Sequence, residues 1–294
     1  MTLQQLLVRA YTKLGQLSFS AATGGSTSTI ADTSLQNQGT DGDYVGSPMF
    51  VTRDAGALGA APEGEFSICT TYVDSTGTFT VSPVFTTAPA SGDRYAYGLS
   101  IFPLYSMIQL ANQGLQAIGD IPLVDSSLTT VAGQREYSIP VALKRRRPTR
   151  IQLEALTTSG DPAPENIPDF EWNPAAPGTV GTIVLPRTPM AAKTLNVYYW
   201  GIHPELEIAT DVVAEVLDPD LATYAVAAEA AEWLNGLLGG SDTHWSREAL
   251  KLRRLFNDLK NEKAPQVPPA MPELFITGLE EDVRFSRLTG DELR

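Results

Sequence analysis

Cysteine occurs once in this chain and histidine twice, at Cys69, His203 and His244. A single cysteine excludes an internal disulfide and any cysteine-rich metal site. Two histidines leave little for a histidine-based metal centre or a histidine-dependent triad. Positive charge is short as well: 21 Lys and Arg stand against 34 Asp and Glu, net −13. A protein that grips a nucleic-acid backbone is expected to be basic, so that reading starts at a disadvantage. Charged residues of both signs make up only 19%, below the usual quarter. Gly, Pro, Ser and Thr fill the gap and predict many turns and short strands. No run approaches the ~18 apolar residues of a membrane-spanning helix. The opening MTLQQLLVRAYTKL reads as an amphipathic helix, without the apolar stretch and small-residue cleavage site of a signal peptide. What is present suffices for a packed core: 43% of 294 residues are apolar, enough for one large domain or two to three small ones.

Charge is unevenly placed. Residues 201–294 carry 9 basic and 18 acidic side chains, and no basic residue lies between Lys193 and Arg247. Lys144, Arg145, Arg146 and Arg147 form one basic run, with Arg150 just beyond. Each block reads either as a solvated face or as one side of a contact between subunits. The sharper reading makes the basic run an inter-subunit site.

Hydrophobic spacing divides the chain. Leu3, Leu6, Leu7, Ala10 and Leu14 recur at helical spacing, and Gly15 ends the pattern. From Phe19 to Tyr97, turn clusters such as GTDGD and PASGD separate short β-rich runs. Asp74-Ser-Thr-Gly77 predicts a hairpin turn, with Gly77 at positive φ. Helical spacing returns at Leu104, Ile108, Ala111, Leu115 and Ile118, with Ser100 as a cap, Pro103 in the first turn and Gly119 as the stop. A hairpin around Ala132-Gly133 and strands over 149–156, 169–172, 181–185 and 195–200 follow. Asp218-Pro219 then predicts a capped helix over 220–238, rich in alanine. Gly239-Gly240 breaks it, and a last helix carries Trp245, Ala249, Leu252, Phe256 and Leu259 on one stripe. APQVPPAMPELF after Lys263 predicts an extended arm.

These elements predict an α+β chain: a helical bundle made of an N-terminal helix, a middle helix and a C-terminal αα-hairpin, with two inserted antiparallel β units and an extended C-terminal arm. The expected divisions are 1–17, N-terminal helix of the bundle; 18–99, inserted β domain; 100–122, bundle helix; 123–210, second β unit; 211–262, αα-hairpin; and 263–294, arm.

Catalytic signatures are sought and not found. There is no phosphate-binding glycine loop, Rossmann fingerprint or nucleophile elbow. Cys69 in FSICTTYV alternates as a small strand residue, His203 in WGIHPE as a turn residue, and His244 as a packing or capping residue. Asp41 and Asp43 lack the further ligands of a calcium loop. Glu63 and Glu65 are an acidic pair of the kind used in glycoside hydrolysis, a pairing common on β-rich chains. The expectation is no enzyme, no cofactor and no metal.

Three stretches carry a resemblance. One is the β segment from ATGGSTSTIADTSL through GSPMFVTRDAG to APEGEFSICTTYVDSTGTFTVSPVFTTAPASGDRYAYG. The second is SMIQLANQGLQAIGDIPLVDSSLTTVAGQREYSIP, Ser106 to Pro140. The third pairs LNVYYWGIHPEL with LDPDLATYAVAAEAAEWL. Together they resemble the head-to-tail connector (adaptor or neck) proteins of tailed bacteriophages, over most of residues 1–263. The resemblance implies a structural virion protein at the head–tail junction, assembled in the host cytoplasm as a homo-oligomeric ring, commonly a dodecamer. It implies contacts with the portal protein and a downstream neck or tail protein, and passage of DNA without sequence-specific binding or any membrane. Other tail, baseplate or fibre-associated virion subunits are the alternative, and a glycan-cleaving tail enzyme a more distant one. Glu229 and Glu232, three apart on one helix face without a cation within a turn, are the channel-facing candidates. Leu274, Phe275, Ile276 and Phe285 are the portal-docking candidates on the arm.

Overall fold

The N-terminal helix α1 (Leu3–Lys13) begins on a reciprocal cap. Thr2 Oγ1 accepts from the Gln5 N–H at 3.3 Å, and the Thr2 N–H donates to Gln5 Oε1 at 3.1 Å. Leu3, Leu6, Leu7 and Ala10 form its buried stripe, and Gly15, at φ +67°, ends it. This computed structural model describes residues 1–139, 143, 146–154, 165–173, 181–189, 193–240 and 242–266.

Seven strands follow: β1 (Leu17–Ala21), β2 (Gly24–Ser26), β3 (Thr29–Ala31), β4 (Pro48–Arg53), β5 (Phe66–Val73), β6 (Thr78–Ser82) and β7 (Arg94–Gly98). They make one antiparallel sheet in the order β1-β7-β4-β5-β6-β3-β2. The β5–β6 turn has Gly77 at φ +59°, where a Cβ would collide with the Asp32 carbonyl. β4 is buried on both faces. Phe50 and its neighbour Ala96 face the helices, whereas Met49, Val51 and Tyr95 join Tyr72, Phe79 and Phe85 in a core of the sheet's own.

After α2 (Leu104–Ala117), a second β region holds β8 (Ile121–Thr129), β9 (Glu136–Ser138), β10 (Arg150–Leu153), β11 (Glu165–Ile167), β12 (Glu171–Asn173), β13 (Thr182–Val184) and β14 (Thr194–Gly201). These form two antiparallel sheets, β11-β10-β14-β8 and β12-β13-β9. Leu195, Val197 and Tyr199 alternate inward from β14 and meet Tyr137, Ile183 and Leu185 of the smaller sheet. The expected hairpin around Gly133 is therefore a turn without a ladder. β8 pairs with β14 and β9 with β13, so the chain changes sheets there.

The remaining helices are α3 (Pro219–Leu237) and α4 (Thr243–Lys263). Asp218 Oδ1 accepts from the Asp220 and Leu221 N–H groups at 2.9 and 3.1 Å, and Pro219 occupies the first turn. Asp242 caps α4 in the same way. Ser100 does not cap α2: Pro103 holds that position without a side-chain bond. α3 touches α1, α2 and α4. Its alanines 222, 225, 227, 228, 230 and 231 are all at most 1% exposed. Small side chains let the neighbours approach to backbone contact. A Cβ on Gly114 of α2 would lie 2.9 Å from the backbone of Ala225 and Val226.

The expected helical bundle with two small insertions is overturned. Among the described residues, fourteen strands in three antiparallel sheets dominate, and one sheet has seven strands. The helices pack around α3, which touches the other three. Each β region has a hydrophobic core of its own, and the helical core extends onto one face of the large sheet. The arm, with Leu274, Phe275, Ile276 and Phe285, lies outside the described residues beyond residue 266.

Candidate functional site

Glu229 and Glu232 project from α3 toward α4, where Arg253 receives both. Its guanidinium donates to Glu229 Oε1 at 2.9 Å and to both oxygens of Glu232 at 2.5 Å. The side chains are 21%, 43% and 27% exposed for Glu229, Glu232 and Arg253. The hydrogen bond to Glu232 leads in raising the Arg253 pKa above its ordinary value. These two glutamates are thus not the bare negative pair expected from their helix alone. The cation comes from across the αα-hairpin, beyond the reach of local spacing.

The basic run divides. Arg146 pairs with Asp120 and donates to the Trp200 carbonyl at 3.1 Å. It braces the end of β14 against the loop after α2. Arg147 is exposed. Lys144 and Arg145 lie outside the described residues. Arg150, just beyond, stacks over Tyr198 at 3.8 Å.

The other sequence candidates have internal partners. Glu63 Oε2 accepts from the Asp54 and Gly59 N–H groups at 3.0 and 2.9 Å. Glu65 accepts from the Thr86 N–H at 2.9 Å and from its hydroxyl. Asp41 accepts from the Asp74 N–H at 2.8 Å, and Asp43 from Thr40. Cys69 is buried, and burial pushes its thiol up to about 11, away from thiolate chemistry. His244 sits edge-on to Trp245 at 5.2 Å.

His203 is only 2% exposed. Its Nδ1 donates to the Pro204 carbonyl at 2.6 Å, and its Nε2 accepts from the Ala214 N–H at 3.0 Å. Burial lowers its pKa, against the opposing pull of the Pro204 carbonyl. Both nitrogens are occupied in the neutral ring, so this histidine ties the strand exit of β14 to the loop that leads into α3.

No family model matches the chain, and neither does any curated protein.

Two polar anchors were missed from sequence. Asn112, 8% exposed on the apolar stripe of α2, exchanges two bonds with the Leu206 backbone, at 2.9 and 2.8 Å. A lone amide inside a leucine stripe is the signal that marks it. Asp32 is fully buried and accepts from Ser20, Ser34 and Tyr95. Burial pushes its carboxyl up, but those hydrogen bonds outweigh it and hold the pKa below its usual value.

A cavity of about 590 Å³ opens between α1, residues 59–64 and residues 209–219. Gln4 and Glu63 on its wall are both bound to backbone groups. Among the described residues, no group of three or more His, Cys, Asp and Glu side chains is placed to hold a metal ion, and no helix is long and apolar enough to cross a membrane.

One end of the helical layer has a different character. Phe102, ahead of α2, packs against Trp233 at 6.3 Å and Trp245 at 5.4 Å, joining the start of α2 to the α3–α4 turn. Around this junction Leu99, Ile101, Tyr105, Leu237 and Leu238 stay exposed, Tyr105 at 63% and Leu237 at 67%. Leu250 on α4 is exposed as well. Apolar side chains gathered at one place on a surface are a feature of association sites.

Proposed function

We propose that this chain is a ring-forming adaptor subunit at the head–tail junction of a tailed bacteriophage. The identification rests on the resemblance of the three sequence stretches. The observation that carries the assembly part is the apolar end of the helical layer, where Leu99, Ile101, Tyr105, Leu237 and Leu238 lack cover. In a ring, the next copy supplies that cover. An acidic subunit suits a DNA conduit, because a negative wall repels phosphate and keeps contacts weak. The net charge of −13 provides this in every copy. Arg253 already neutralises part of the charge at Glu229 and Glu232, so the chain's overall acidity matters more than those two groups. Lys144 and Arg145 contact acidic groups of the neighbour, and Leu274, Phe275 and Ile276 of the arm dock on the portal.

Electron microscopy of the purified chain, alone and mixed with portal rings, tests this reading. The expected particle is a ring with a central hole, about twelve copies round, and a Leu237→Glu, Tyr105→Glu variant stays dispersed. A wild-type chain that remains monomeric and leaves portal rings undecorated overturns it.

A further inference from the structure

Two exposed faces of this chain carry opposite charge. On α4, Arg247, Leu250 and Arg254 stand at i, i+3 and i+7, so they share one side of the helix. All three are exposed, Leu250 at 74%. Arg253, on another side, turns inward to Glu229 and Glu232. Arg247 and Arg254 have no ion-pair partner among the described residues.

The other face is the segment 202–216 between β14 and α3, which holds no lysine or arginine. Glu207 and Glu215 are exposed there, alongside exposed Ile208, Val212 and Val216. Neither glutamate has an ion-pair partner among the described residues. The segment is firmly anchored. Asn112 holds the Leu206 backbone, His203 accepts from the Ala214 N–H, and the Leu3 N–H donates to the Asp211 carbonyl at 2.8 Å. Leu206, Val213 and Leu217 are buried in the helical core. The exposed side chains are thus held in place before any partner arrives, which lowers the ordering cost of binding.

We propose that the α4 face of one copy binds the 202–216 segment of a second copy, head to tail. This rests on the self-association in the adaptor reading and names the surfaces that carry it. Copies of net charge −13 repel one another, so a contact between them needs a cation-bearing face on one side. Arg247 and Arg254 supply it, Glu207 and Glu215 answer it, and Leu250 gains cover from Ile208 and Val212. Like faces do not pair, because arginine would then oppose arginine, or glutamate oppose glutamate. Within one chain the two faces stay apart. Lys263 Nζ lies 3.1 Å from Asp218 Oδ2, which pins the end of α4 beside the start of α3. Arg247 stands roughly 24 Å back along the helix from there. A contact between two different faces is heterologous, and it closes into a ring when the rotation allows.

Sedimentation velocity of the full chain tests the pairing. An Arg247→Glu, Arg254→Glu variant and a Glu207→Arg, Glu215→Arg variant are each expected to associate roughly tenfold or more weakly than the wild type. Mixed in equal amounts they are expected to assemble again, because each then offers the face that the other lacks. Only a head-to-tail contact through these faces restores assembly in this way. Circular dichroism reads the fold of each variant, and Arg247→Gln, Arg254→Gln weakens association with a milder change to α4. Variants that assemble as the wild type does, or folded variants whose mixture stays dispersed, overturn the proposal. Wild-type rings in those cases leave the adaptor reading standing. A wild-type chain that never associates overturns both.

Discussion

Replacing Gly114 by alanine is expected to destabilise the protein, against the usual rule for helices. In a helix interior, glycine to alanine ordinarily gains about 1 kcal/mol, because alanine gives up less backbone freedom on folding. At Gly114 the added Cβ lies 2.9 Å from the Ala225 carbon and oxygen and from the Val226 nitrogen. These are backbone atoms inside α3, and no rotamer change moves them aside. The two helices must separate by a few tenths of an ångström to reach ordinary contact. Forcing an extra carbon into a packed interface costs about 1–3 kcal/mol, and separation weakens dispersion contacts along the seam. The net expectation is a loss of about 1–2 kcal/mol. Gly236, near the end of α3, is the matched control: nothing lies within 4 Å of its Cβ position. Gly236→Ala is expected to gain up to about 1 kcal/mol. Urea unfolding followed by tryptophan fluorescence suits the comparison, since Trp233 and Trp245 both lie in the helical layer. The two variants should move the midpoint in opposite directions at constant slope. A Gly114→Ala protein as stable as the wild type, or more so, refutes the backbone-contact argument.

Asn112→Leu leaves the N–H and C=O of Leu206 without partners inside the core. A loss of about 2–4 kcal/mol is expected in the same urea assay. His203 has a lowered folded-state pKa, so the unfolded chain takes up its proton first as pH falls. Stability is therefore expected to decline from just above pH ~6.5 downward, by at most about 1.4 kcal/mol per pH unit for one group; His203→Gln should remove that part of the slope in pH-dependent unfolding. Protonation at Nε2 also breaks the bond from the Ala214 N–H. Arg253→Met leaves Glu229 and Glu232 as neighbouring like charges. The expected cost is about 1 kcal/mol at low salt and less at high salt; a cost independent of salt argues against an electrostatic role.

Local chemistry made the helices legible. Leu3 to Ala10 repeat at helical spacing, Asp218-Pro219 is a cap that reads the same in any context, and Gly77 marks a turn that needs positive φ. Strand partners were not legible, because pairing joins residues far apart in the chain. β7 inserts between β1 and β4, and Gln134 closes a turn whose two flanks belong to different sheets. Nothing in the Ala132-Gly133 pair distinguishes a hairpin from a crossing between sheets. The weight of β structure was underestimated for the same reason: short runs look like insertions until each is seen to share a core. The assembly candidates fared similarly. The spacing of Glu229 and Glu232 correctly puts them on one face, but Arg253 approaches from another helix. The apolar end of the helical layer is assembled from residues 99–105 and 237–238, which no single window contains.

The position of α3 has a consequence for synthesis. Leu3 donates its N–H to Asp211, and Thr2 bridges to Val212, and α1 shares its core with α3, so α1 cannot complete its burial until the last third of the chain is made. At about 5–20 residues per second, that delay is roughly 10–40 s. The seven-stranded sheet, by contrast, closes within residues 17–98 and can form while the ribosome is still working. During the interval Leu3, Leu6 and Leu7 are exposed and sticky, tethered to an already folded neighbour. Burial of that stripe is complete only once Leu221 to Leu234 of α3 have arrived.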